Sequence, residues 1–217
     1  MLKEILACIT ALLSDPAKTW VEISHKDARE ETVQEENIQC PSEDAEYSFE
    51  EEDSKKNEKH ELFLKQFLYP LLGFATLAAF IGGLVDSGTW SLEQPLKKAI
   101  LTFCSYFGGL YLAAIALKES YKKLFGDTLD RQRCQRFVGY SLALPLLVSM
   151  FLSLFPSFFF LMVCDLYIVY IVWEGAEPYM GVPKEYRLKF TAIASLLVLL
   201  VPFIIERLFF FVMPGLR

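Results

Sequence analysis

The chain has 217 residues, of which 53% are hydrophobic and 22% charged, with a formal net charge of −6. A mean hydropathy of +0.32 beside this ordinary charge content excludes a uniformly soluble domain and indicates a polar segment joined to apolar ones. Several uncharged apolar runs approach the length of a bilayer crossing, so composition places the chain among membrane proteins and leaves its biochemical activity open.

Residues 1–23 are predicted to form an N-terminal amphipathic helical segment. Asp15 offers an N-cap and Pro16 the first position of a second, short helix that carries Trp20. The first helix and Trp20 either lie in the membrane interface or pack against the protein, and the sequence leaves both open. The apolar face of the first helix consists of Leu2, Ile5, Leu6, Ile9, Leu12 and Leu13.

Residues 24–62 form the polar segment. From Glu22 to Glu61 there are 15 acidic and five basic residues, and the apolar residues among them follow no period. Such a composition buries too little apolar surface to offset its ordering entropy, so it predicts an acidic, disordered linker. The run Glu50-Glu51-Glu52-Asp53 is either an interaction tail or part of a solvated spacer.

Residues 63–217 are predicted to hold five transmembrane helices. The longest apolar run, 137–173, exceeds one crossing, and Pro156 divides it into two helices joined by a very tight turn. Because no run alternates with period two, helices are favoured over a β-barrel. The expected fold is therefore all-α and polytopic, with spans at about 66–85, 99–117, 137–155, 157–173 and 190–213.

Lysine and arginine counts predict the orientation of this bundle. With the N-terminus inside, the inner segments near the spans carry 13 basic residues and the outer ones carry four. The positive-inside rule then predicts a cytoplasmic N-terminus and a C-terminus outside. The densest basic segment, 118–136, either follows this rule alone or binds anionic headgroups or an acidic partner.

Small residues recur every four positions in the first two spans. These series, Ala75-Ala79-Gly83 and Ser105-Gly109-Ala113, let helices approach closely, because packing rather than hydrophobic burial holds helices together in lipid. They face either each other within one chain or a second protomer in a homo-oligomer.

Three charged residues at membrane depth form a candidate intramembrane polar site. Asp165 lies midway along the fourth span, where it needs an interior partner or protonation. It is either part of a proton or cation relay, a contact for a lipid headgroup, or a structural hydrogen-bond partner. Glu206 and Arg207 are adjacent on the fifth span and diverge by about 100° on a helix, so we do not expect them to pair. Snorkelling of Arg207 is the simpler interpretation.

Motifs of common enzyme and ligand classes do not occur in the sequence. It contains no HExxH, no GxSxG, no P-loop and no glycine-rich dinucleotide fingerprint, and its five cysteines have no metal-ligand spacing. We therefore expect no catalytic residues, no cofactor, no metal site and no nucleic-acid partner.

Four short motifs follow one another along the chain. Asp15-Pro16 is followed by Trp20 and Ile23, and Tyr69-Pro70 precedes Ala79-Phe80-Ile81-Gly82. The other two motifs contain Gly139, Tyr140 and Pro145, and Pro183, Glu185 and Arg187. In this order they resemble motifs of the Yip family of membrane proteins, which carry the Yip-one domain, and all but the one at Gly139 resemble its bacterial branch.

The resemblance implies five transmembrane helices, a cytoplasmic N-terminus and no known catalysis. The resemblance covers most of the chain outside the acidic segment. The sequence has only part of the motif that is typical of eukaryotic members, so binding of Rab GTPases is not carried over. We expect a non-enzymatic scaffold or adaptor in the inner membrane of a bacterium, with a cytoplasmic protein partner at the N-terminal region. The alternative is a small transporter or lipid-handling protein in which Asp165 lines a polar path.

Overall fold

The fold is described from a computed structural model that covers residues 2–35, 61, 63–87, 92–126 and 129–212. No β-strand occurs in these ranges. The helices are α1 (Leu2–Ser14), α2 (Pro16–Glu35), a π-helical turn (Leu64–Leu68) leading into α3 (Tyr69–Ser87), α4 (Glu93–Phe125), α5 (Arg131–Leu154), a 3₁₀ segment (Pro156–Tyr167) leading into α6 (Ile168–Ala176), and α7 (Arg187–Val212).

Five of these helical segments are long and apolar enough to cross a membrane, which confirms the predicted all-α, polytopic fold. They run over Leu64–Val85, Glu93–Phe125, Arg131–Leu154, Pro156–Ala176 and Arg187–Val212. Each extends beyond its predicted bounds on at least one side, because charged and polar residues continue a helix past the hydrocarbon layer and apolar runs alone do not mark its ends.

The tight turn predicted at Pro156 separates the third and fourth spans. α5 ends at Leu154, Phe155 takes a non-helical conformation (φ −131°, ψ 77°), and the 3₁₀ segment begins at Pro156. Proline disfavours a helical conformation for the residue before it and lacks an N–H to continue the ladder. The fourth span has 21 residues and is long enough to cross, and its 3₁₀ part lengthens it further because a 3₁₀ helix rises about 2.0 Å per residue.

Helices α1 and α2 pack against one end of the bundle, which we call the N-terminal face. This face also carries the end of α4 and the α6–α7 turn (177–186), which meet through the rings of Phe125 and Tyr186, 5.5 Å apart. The amphipathic prediction for α1 is confirmed, and its buried residues Ile5 and Ile9 contact the core of the bundle. α1 therefore packs against the protein, which is one of the two alternatives that the sequence left open.

Asp15 caps α2 as predicted. Its Oδ1 accepts a hydrogen bond from the backbone N–H of Lys18 at 3.3 Å, and Lys18 Nζ lies 3.1 Å from its Oδ2. Hydrogen bonds from the Lys18 side chain and backbone lower the pKa of this exposed carboxyl. The cap therefore contributes at pH values above the carboxyl's ordinary pKa, and its contribution is lost as the pH falls through the lowered value.

α2 continues to Glu35, beyond the boundary predicted at residue 23. Residues 24–35 contain no glycine or proline, and seven of the twelve have good helix propensity, namely Lys26, Ala28, Arg29, Glu30, Glu31, Gln34 and Glu35. The same charged composition is typical of disordered segments, so the charge pattern alone does not mark where α2 ends. The rest of the predicted linker, 36–60, lies outside the described residues.

Small residues allow the spans to approach closely, and both series of small residues contact other helices of the same chain. A Cβ built on Gly83 would lie 2.8 Å from Pro95 at the start of α4, as predicted for the first two spans. Gly109 instead faces α7, where a Cβ would lie 2.8 Å from Cγ of Pro202. Because all six residues of the two series are buried, close packing within the chain explains them.

Candidate functional site

The carbonyl groups at the end of α6 are bound by side chains from α2 and α7 and by backbone N–H groups of the turn that follows. Carbonyl groups in the last turn of a helix have no partner within it and must find one elsewhere. The Gly175 and Ala176 carbonyls accept from the backbone N–H groups of Tyr179 and Val182. The Trp173 carbonyl accepts from Arg187, at 3.0 Å from Nε and 2.8 Å from Nη2.

Trp20 of α2 is the central residue of this arrangement. Its side chain is fully buried, and Nε1 donates a hydrogen bond to the Ile171 carbonyl at 2.9 Å. The indole packs 5.0 Å from the ring of Phe137 and 5.2 Å from that of Tyr179. A Cβ on Gly175 would lie 2.6 Å from Cε2 of Trp20, so only glycine lets the indole pack so closely. Trp20 is thus a packing residue, and the interfacial alternative does not hold.

Two further side chains extend the contact to the α6–α7 turn. Ser24 Oγ donates to the Pro178 carbonyl at 2.9 Å, and Arg133 Nε donates to the Tyr179 carbonyl at 2.9 Å. Sequence reasoning gave no role to Ser24 and treated Arg133 as one of many basic loop residues. No local signal separates Arg133 from its neighbours, because its partner is a backbone atom 46 residues away.

Arg187 joins this turn to α7, and the resemblance had singled it out. Its guanidinium lies 4.5 Å from the ring centre of Trp173 and 3.4 Å from a carboxylate oxygen of Glu174 and of Glu177. The side chain is only 18% exposed, so these contacts form where water competes little. Pro183 and Glu185 are exposed on the same turn, and the Pro183 carbonyl accepts from the Tyr186 N–H at 3.0 Å.

Arg187→Ala is expected to destabilise the protein by about 2–4 kcal/mol, because the change leaves the Trp173 carbonyl and the Glu174 carboxylate without their cationic donor. The melting temperature of the purified protein in detergent measures this loss. Lys184→Ala is the matched control, since Lys184 also pairs with Glu177, at 3.8 Å, but its side chain is 83% exposed. It is expected to change stability by less than about 0.5 kcal/mol. Equal melting temperatures for the two variants would contradict the assignment.

The remaining family positions lie in the core below the N-terminal face. Tyr140 packs in an aromatic cluster, with ring centres 4.7 Å from Phe63 and 5.9 Å from Trp20. Gly139 gives Phe63 its space, since a Cβ there would lie 3.0 Å from the ring. The Pro145 carbonyl accepts a hydrogen bond from Tyr106 Oη at 3.3 Å. These positions therefore have packing roles in this chain.

The three charged residues at membrane depth do not all line one cavity. Asp165 is half-buried in the 3₁₀ segment, and its Oδ1 has no hydrogen-bond partner among the described residues. Arg207 is exposed, with its guanidinium 4.9 Å from the ring centre of Phe203. Glu206 instead lines a cavity that Asp165 does not border. Among the described residues, no cluster of three His, Cys, Asp or Glu side chains could hold a metal ion.

This Glu206 cavity lies between α3, α4, α5 and α7, towards the end of the bundle opposite the N-terminal face. Its volume is about 230 Å³. Polar side chains from three helices line it, which is unusual at membrane depth. The lining residues are Ala79, Lys98, Leu101, Thr102, Ser105, Tyr106, Ser149, Ser153, Glu206 and Phe210.

A second, larger cavity of about 1150 Å³ is almost entirely apolar. It runs along α5 and the fourth span, from Leu13 and Trp173 near the N-terminal face to Phe151. Its lining matches the acyl chains of a surrounding bilayer, so it requires no particular ligand.

Comparison with known proteins gives one match. A family model described as the Yip1 domain matches residues 55–205, a stretch that contains all six family positions named above. No curated protein and no solved structure matches the chain.

Proposed function

The chain belongs to the Yip1 domain family, and from this premise we propose that it is a non-enzymatic scaffold or adaptor of a bacterial inner membrane. It is a multi-pass membrane protein, and in this proposal its N-terminal face is cytoplasmic and its C-terminus lies outside. The distribution of lysine and arginine over the segments between the spans supports this orientation.

The docking of α2 on the bundle is the observation that carries the proposal. Trp20 and Ser24 attach α2 to the end of α6 and the α6–α7 turn at 2.9 Å each, so α2 is an integral part of the N-terminal face. The acidic residues 36–60 connect Glu35 to Glu61, and both of these residues belong to helical elements of the described structure. An acidic segment that joins the docked helix α2 to the first span suits recruitment of a basic cytoplasmic protein.

The acidic segment can be tested without disturbing the docked helices. In one variant, residues 36–60 are replaced by a glycine-serine linker of equal length. In a second, the acidic residues Glu50, Glu51, Glu52 and Asp53 become their amides. Quantitative mass spectrometry after cross-linking in membranes compares the proteins that co-purify with each. We expect the same partner to be lost from both variants while membrane insertion and melting temperature stay unchanged. An unchanged set of partners in both would refute the adaptor role.

The geometry gives less support to the alternative, a small transporter or lipid-handling protein with Asp165 on a polar path. Asp165 borders neither the Glu206 cavity nor the large apolar one. Asp165 is half-buried in the 3₁₀ segment, and no polar path across the membrane runs past it among the described residues. The scaffold role does not depend on Asp165.

A further inference from the structure

The Glu206 cavity lies at the depth of lipid headgroups. Lys98 is the sixth residue of α4, and Glu206 lies six residues before the end of α7. At 1.5 Å per residue, both lie about 8–9 Å from the ends of their helices, and Ser153 is the penultimate residue of α5. The polar headgroup region begins where the roughly 30 Å hydrocarbon core ends, so a headgroup can reach these residues from one leaflet.

Three hydroxyl groups that line the cavity donate their protons to backbone carbonyls. Thr102 Oγ1 donates to the Lys98 carbonyl at 3.0 Å, and Ser153 Oγ donates to the Ser149 carbonyl at 2.8 Å. Tyr106 Oη donates to the Pro145 carbonyl. Because each hydroxyl has a single proton, Thr102 and Ser153 can act towards a ligand only as acceptors, whereas Tyr106 also has a side-chain hydrogen bond with Ser149. Together with the Glu206 carboxylate they form a lining that favours a cationic, multiply donating group.

Ser105 provides an independent indication of a ligand. Its side chain is 4% exposed and lines the cavity, yet its Oγ has no hydrogen-bond partner among the described residues. A buried hydroxyl without a partner costs free energy, so such groups are rare in folded proteins. The cavity volume of about 230 Å³ is several times that of one water molecule, so it has room for a small polar group of several non-hydrogen atoms.

We propose that the Glu206 cavity binds the headgroup of an aminophospholipid, with its primary ammonium at Glu206 and the acceptor hydroxyls and its phosphate towards Lys98. A primary ammonium has three N–H donors, whereas a choline headgroup has none. Lys98, which also lines the cavity, contributes a positive charge for the phosphate. This binding site is separate from the proposed adaptor role, which concerns the opposite end of the bundle.

Competitive lipid binding tests the proposal. The full-length protein is equilibrated with equal amounts of phosphatidylethanolamine and phosphatidylcholine of identical acyl chains, and bound lipid is counted by native mass spectrometry. We expect an approximately tenfold preference for phosphatidylethanolamine, the effect of one charge-assisted hydrogen bond. Glu206→Gln should reduce this preference to about one, and Ser105→Ala should weaken it. Soluble phosphoethanolamine should displace the bound lipid.

Glu185→Gln is the matched control, because Glu185 is an exposed carboxylate on the N-terminal face and should leave the preference unchanged. Equal binding of the two lipids by the unmodified protein would overturn the proposal without any variant. A preference that survives Glu206→Gln would overturn it as well, since the ammonium would then be recognised elsewhere.

Discussion

Gly82→Ala is expected to force α3 away from α5 and to destabilise the bundle by about 1–3 kcal/mol or more. A Cβ at this position would overlap the backbone carbonyl of Ser153. Because the obstacle is backbone rather than the end of a flexible side chain, the helices themselves must move. The melting temperature of the purified protein in detergent measures the effect.

Gly73→Ala in the same helix is the control for this substitution. A Cβ on Gly73 has no atom within 4 Å, and alanine has a better helix propensity than glycine. This variant should be as stable as the unmodified protein or slightly more stable. If the two alanine variants melt at the same temperature, the close approach of α3 and α5 at Gly82 is incorrect.

Trp20→Ala is expected to release α2 from the N-terminal face at a cost of about 3–5 kcal/mol, the usual range for removing a fully buried tryptophan. The variant loses the contacts with Phe137 and Tyr179 and leaves the Ile171 carbonyl without its donor. Trypsin should then cut at Lys18 and Lys26, which a docked helix protects from cleavage.

Two variants distinguish the contributions of the indole. Trp20→Phe keeps an apolar ring but loses the hydrogen bond to Ile171, and should cost about 1 kcal/mol. Val21→Ala is the surface control, because Val21 is 40% exposed. Trypsin resistance of the Trp20→Ala variant equal to that of Val21→Ala would contradict docking through Trp20.

The spans of the bundle were predictable because charge-free apolar runs and single proline residues determine where they lie. Charge-free runs gave the first two spans, and Pro156 gave the turn between the third and fourth, since proline acts on its immediate neighbours. The apolar face of α1 was readable from its spacing. What it packs against was not, because membrane interface and protein select the same amphipathic pattern.

The site residues were harder to predict because their partners lie far away in sequence. Trp20 and Arg133 bind backbone carbonyls 151 and 46 residues distant, and a carbonyl has no sequence signature. The Glu206 cavity depends on how four helices are rotated about their axes. Glu206 was identified as a charged residue at membrane depth, but its separation from Asp165 and its proximity to Ser105 follow only from packing.

Hydrogen exchange of α2 in the full-length protein tests most directly whether the N-terminal helices belong to the folded domain. With the protein in lipid nanodiscs, exchange of the backbone amides of residues 19–24 is followed by mass spectrometry. A docked helix should exchange about a thousandfold or more slowly than an unstructured chain, because opening it requires withdrawing Trp20 from the core. Without docking, α2 would lose most of its stability, because helices in proteins are stabilised chiefly by packing of their apolar face. Exchange within about tenfold of the unstructured rate would contradict the docked N-terminal face.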